Sequence, residues 1–167
     1  LRALAVVLPE APDTLLRIAG SGPQETELKA LAKQLGITAA VSFVGRLDRA
    51  GIVRLYAEAD AMLNPTTVDN MPNSVIEALA CGVPVISTEV GGVPFIVRQE
   101  HTALLVPPNA PAAMAAAILR LRGDAQLRQQ LRDNGLDEVA QYGWPAVRQQ
   151  WLDAYADVAG QQQGAAA

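Results

Sequence analysis

Between Thr14 and Val106 the chain alternates short apolar runs with amphipathic stretches about ten residues long, and glycine or proline punctuates the joins. The runs are TLLRIAG (residues 14–20), VSFV (41–44), AMLN (61–64), PVIS (84–87) and ALLV (103–106). The stretches from Gln24 to Leu35, Arg49 to Ala59 and Ser74 to Cys81 carry apolar residues at helical spacing, as in Leu28, Leu31, Ala32 and Leu35. Apolar strands separated by helices cannot pair as hairpins, so they predict a parallel sheet with helices on both faces. Right-handed crossovers then leave an α/β, Rossmann-like, doubly wound topology. Ligands of such sheets bind beyond the carboxyl ends of the strands, which here are GSGP, VGR, NPTTVDN and STEVGG.

The flanks are helical. Leu1, Leu4, Ala5 and Leu8 keep helical spacing until Pro9 and Pro12, and three helical segments follow Pro107-Pro108, near Pro111–Arg122, Ala125–Ala140 and Pro145–Val158. Residues 1–158 read as one domain, and 159–167, small and polar, as a disordered tail. From an opening inside a helical pattern, with no initiating Met, the expectation is a fragment that begins partway through an element.

Composition narrows the function classes. A net charge of −4 without a Lys/Arg run gives no footing for nucleic acid or an anionic membrane. One cysteine, Cys81, excludes an intrachain disulfide framework and a cysteine metal cluster, and fits the cytoplasm. No apolar run approaches the roughly 20 residues that cross a bilayer, and no leader pattern opens the chain.

Individual motifs carry less. Gly20-Ser21-Gly22 follows a strand, but Pro23 and Glu25 break the dinucleotide fingerprint, which leaves a tight turn or a close backbone approach to an anionic ligand. The lone histidine, His101, reads as a turn residue, Cys81 as buried packing, and Trp144 and Trp151 as packing anchors.

The run VDNMPNSVIEALACGVPVIST (residues 68–88) is the most informative, with Asp69 and Glu77 separated by seven residues. Ser74 to Glu77 matches a capping box in which Ser74 or Asn73 caps the helix and Glu77 turns back to a free N–H. Asp69 is then a turn former. The same carboxylates could instead serve a ligand: Glu77 accepting from a ribose diol, Asp69 from sugar hydroxyls, and the loop N–H groups meeting a phosphate. Pattern alone leaves both readings open.

The order of motifs adds a resemblance. This run resembles the E-x7-E region of family-four glycosyltransferases of the two-domain GT-B fold, and RIAGSGP, VSFVGRL, LYAEADAMLNPT, VGGVPFIV and ALLVPPNAPAAMAAAI follow that family's order over roughly residues 1–155. The resemblance implies the C-terminal, donor-binding half of a retaining glycosyltransferase. Such an enzyme moves a sugar from a UDP-, GDP- or ADP-sugar to a glycan, lipid or small-molecule acceptor, with no cofactor and no obligatory metal. By the same resemblance the catalytic positions are Asp69 and Glu77, Glu77 also holding the donor ribose. Asn70, Met71, Pro72 and Asn73 line the sugar and diphosphate, Gly20 and Gly22 lie near the diphosphate, and Val44 to Arg46 meet the nucleobase.

Departures from the pattern are Asp69 for the usual Glu, Asn70 for Gly, Phe95 for Glu and Ala103 for Gly. They leave a second reading, a degenerate GT-B scaffolding module without transfer. The resemblance further implies a first strand with G-R…K phosphate-binding residues ahead of Leu1 and an acceptor-binding N-terminal domain, through which peripheral membrane contact would be made. Without those cations the chain alone is expected not to turn over.

Overall fold

The computed structural model describes residues 1–164, with side-chain surroundings through Ala156. Among these residues the elements run in chain order as α1 (Arg2–Val7), β1 (Leu16–Ala19), α2 (Glu25–Gln34), β2 (Val41–Gly45), α3 (Arg49–Ala57), β3 (Met62–Asn64), α4 (Asn73–Ala80), β4 (Val85–Thr88), α5 (Val93–Ile96), β5 (Ala103–Val106), α6 (Pro111–Gly123), α7 (Ala125–Val139) and α8 (Trp144–Gly164). All five strands were legible in the sequence. The single turn α5 was not, because Gly91-Gly92-Val93-Pro94 reads as a loop. The final helix passes the boundary expected at Val158, and residues 165–167 of the expected tail lie outside the described residues.

Local chemistry sets the element ends. Asp48 caps α3 by accepting from the Gly51 N–H at 2.7 Å, and Asp124 caps α7 by accepting from Leu127 at 2.8 Å. At the end of α4, Gly82 takes φ of 66°. That left-handed residue lets the Val83 N–H reach back to Ala78 O at 2.9 Å and the Gly82 N–H to Leu79 O at 2.9 Å. This closure turns the chain through Pro84 directly into β4.

Every strand pair is parallel, as expected, but the strands form two sheets: β1 with β2, and β3-β4-β5 in that order. In a doubly wound order the strand joining such halves is the first, and none of the described strands takes that place. The central β4 is buried at all four positions, which explains its unalternating apolar run.

The core is divided correspondingly. Val75, Leu79, Val83, Val85, Val93 and Ile96 cluster around α4, β4 and α5. Ile86, Leu104, Met114, Leu127 and Leu131 fill the space under α6 and α7. Helix α1 touches two further clusters, Leu4 packing with Ala32 and Ile37, and Val7 with Ala11 and Ala115. Three packing expectations are corrected. Cys81, the C-cap of α4, is exposed rather than buried. Trp144 and Trp151 are exposed as well, at 66% and 56%; among the described residues Trp151 has as its aromatic partner Tyr155 of its own helix, with ring centroids 5.9 Å apart.

Candidate functional site

Helix α4 starts without a side-chain cap: Pro72 occupies the N-cap, its backbone extended, and no side chain accepts from the N–H groups of the first turn. The capping-box reading is therefore overturned. Pro72 is buried and fixes the approach of the chain, which places Asn73 inside the helix and leaves Ser74 two residues too late to cap it. The Val75 N–H turns back to Pro72 O at 3.0 Å, which leaves the Asn73 and Ser74 N–H groups of the first turn available to an anion, with the positive end of the helix behind them.

Glu77 is exposed and caps no N–H of its own helix, its Oε2 lying 3.5 Å from the Tyr56 hydroxyl of α3. Tyr56 has one proton to donate, and its better acceptor is Ser74 O at 3.0 Å. Burial, then the negative charge of Glu77, pushes the Tyr56 hydroxyl up to about 12, so at neutral pH it is a neutral donor. Tyr56 thus ties α3 to the first turn of α4 and stands beside Glu77. Sequence reasoning missed it, because the two lie 21 positions apart and no local spacing relates them.

The loop from β3 into α4 is seated on the segment that follows β4. The Gly92 N–H donates to Asp69 O at 2.9 Å. A Cβ on Gly91 would fall 1.9 Å from Asp69 O, and one on Gly92 would fall 1.3 Å from Asn70 O. Only glycine permits that contact, so the Gly91-Gly92 pair that reads as a turn in the sequence is also a backbone seat. Asp69 is half-buried in the seated loop, Asn70 and Asn73 are exposed, and Met71 is 56% exposed.

The remaining candidates follow β1 and β2. Gly20, at φ of 115°, donates its N–H to Gly45 O at 2.7 Å. This bond ties the Gly20-Ser21-Gly22 turn to the turn of Val44, Gly45 and Arg46, and open space lies beside both Gly20 and Gly22. Arg46 is exposed and Val44 half-buried. No hydrogen bond among the described residues joins this group to the Asp69–Glu77 loop. His101 sits in an exposed turn, as expected.

Two cavities, of about 210 Å³ between β5 and α6 and about 270 Å³ between α2 and β2, lie away from the Asp69–Glu77 loop. That loop is instead an open ledge. Among the described residues no three His, Cys, Asp or Glu side chains converge, and no helix is long and apolar enough to cross a membrane.

Comparison with known proteins bears on this arrangement. Residues 1–137 match the family model described as glycosyl transferases group 1. A D-inositol 3-phosphate glycosyltransferase of Streptomyces bingchenggensis is 32% identical over 166 residues, a match that covers 94% of this chain and 36% of the relative. Among solved structures, the sucrose-phosphate synthase of Thermosynechococcus elongatus superposes with a TM-score of 0.83 at 32% identity, over 99% of this chain and 42% of that one. HepE of Anabaena, in complex with UDP-glucose, superposes with a TM-score of 0.83 at 25% identity, over 93% of this chain and 43% of that one. The chain spans less than half the length of these relatives.

Proposed function

The chain belongs to the glycosyl transferases group 1 family, and from that premise we propose that it is the donor-binding half of a retaining glycosyltransferase that uses a nucleotide-sugar. The observation that carries this reading is the exposed Glu77 carboxylate beside an uncapped helix start. A carboxylate free of its own helix can accept from both hydroxyls of a ribose, and the first-turn N–H groups of α4 can accept the charge of the adjoining diphosphate. UDP-glucose in the HepE structure supports this donor class.

In this proposal the bond between the anomeric carbon and the diphosphate oxygen breaks, the acceptor oxygen bonds to that carbon on the same face, and the acceptor's hydroxyl proton is released to solvent. The departing diphosphate carries the new negative charge, held by the N-terminus of α4 and the loop Asn70–Asn73. Asp69 faces the sugar hydroxyls or the reacting centre. Gly20 and Gly22 give the diphosphate close access to main chain, and Val44 to Arg46 meet the base. The acceptor, a glycan, lipid or small molecule, binds on a second domain that closes over the ledge. No metal is assigned to the step. The chain by itself binds donor without turning it over, and the setting is the cytoplasm.

Isothermal calorimetry of the full-length protein with UDP-, GDP- and ADP-glucose tests the reading: saturable heat with at least one is expected. Absence of heat with every nucleotide-sugar would instead favour the scaffolding module. Tyr56→Phe supplies a finer check. Losing one neutral hydrogen bond to Ser74 O should weaken donor binding severalfold, about 1 kcal/mol, by loosening the turn that carries Glu77. An unchanged Kd would remove Tyr56 from the site.

A further inference from the structure

The segment Thr88–Gly92, which leaves the buried β4, touches the β3–α4 loop at its beginning and at its middle. At the beginning, the Thr88 hydroxyl, 3% exposed, lies 2.6 Å from Thr66 O and 3.3 Å from Asn64 O. With one proton to give, it donates to Thr66 at the shorter contact. Its neighbour Ser87, fully buried, accepts from the Asn64 side-chain amide at 3.1 Å and donates to Thr88 O at 3.1 Å. At the middle, the Gly92 N–H holds Asp69 O, and the bare α-carbons of Gly91 and Gly92 face the carbonyls of Asp69 and Asn70.

We propose that Thr88 and Gly92 are positioning residues that template the donor loop, setting where Asp69 and Asn70 stand without touching the donor themselves. The proposal rests on the donor-binding reading. Packing does not require a hydroxyl at position 88, since valine has nearly the same shape, whereas a buried hydroxyl aimed at a loop carbonyl has a purpose in orienting that loop. Loops that carry binding residues need such rigid support, because small displacements of a reacting group cost large factors in rate. Its shorter contact is to the loop carbonyl of Thr66 and the longer one to Asn64 O at the end of β3, so its effect falls chiefly on the loop.

The test compares Thr88→Val, Thr88→Ser and Gly92→Ala in the full-length protein, by amide hydrogen exchange and by donor kinetics. Thr88→Val should raise exchange at the Gly92 amide, which donates to the loop carbonyl of Asp69, roughly tenfold, the size of one lost buried hydrogen bond, while amides of β4 and β5 keep their protection. It should lower kcat more than it raises the donor KM, since orientation rather than contact is lost. Thr88→Ser should restore both, and Gly92→Ala should reproduce the loss more severely. Wild-type exchange and kinetics in Thr88→Val would overturn the proposal, as would equal damage from Thr88→Ser. If the wild-type protein bound no nucleotide-sugar, the donor reading would fail, yet the exchange arm would still decide whether Thr88 and Gly92 hold the loop.

Discussion

Replacing Glu77 with alanine is expected to weaken nucleotide-sugar binding by about 3 kcal/mol, roughly a hundredfold in Kd, and to leave the melting temperature nearly unchanged. The affinity figure follows from two hydrogen bonds to an ionised acceptor, each contributing about 1.5–3 kcal/mol. The stability figure follows from its surroundings: Glu77 is exposed, caps no helix end, and has only the long contact to Tyr56. Such surface changes usually stay within about 0.5 kcal/mol. A capping role makes the opposite forecast, a stability loss near 1 kcal/mol with binding intact. Calorimetry and thermal unfolding on the same variant separate the two cleanly. Glu77→Gln should fall between, since an amide keeps one acceptor oxygen but loses the charge.

Leu79→Ala is the substitution expected to cost most in stability, about 2–5 kcal/mol, against a total of roughly 5–15 kcal/mol for a domain. Leu79 is 1% exposed, in a cluster with Val75, Val83, Val85 and Val93. Opposite it on α7 stands Gly135, where an added Cβ would come within 2.8 Å of Leu79 Cδ2. The leucine fills the hollow that the glycine leaves, so truncating it opens a cavity that no facing side chain can enter. A fall in melting temperature of roughly 10 °C should follow, and α4, with Glu77 on it, should loosen together with α7. A shift below about 2 °C would mean that the two helices slide together and close the gap.

Strand positions were legible because buried parallel strands leave continuous apolar runs, and β4, buried on every residue, leaves the clearest. The division into two sheets was not legible, since a run of valines and isoleucines does not name its neighbour. At the site, Asp69 to Glu77 could be marked from residue order, but the fate of Glu77 could not. Ser74 and Glu77 fit a capping box by spacing, and only the placement of Pro72 at the N-cap decides against it. Tyr56 and Thr88 were invisible for a different reason: each acts across the fold, on residues 18 to 24 positions away, through a single hydroxyl. The exposed Cys81 and Trp144 show the converse error, in which residue type predicted burial that the helix face did not deliver.

The six-residue helix α1 has a consequence for reach. Its Leu4 is fastened to the half carrying Gly20 and Arg46, its Val7 to α6 beside the half carrying Asp69 and Glu77. If base and sugar are gripped by different halves, this short strut works as a gauge: its seating determines the span between the two grips, and hence the length of donor that can bridge them. Repacking either Leu4 or Val7 would change that span without substituting any residue proposed to meet the donor.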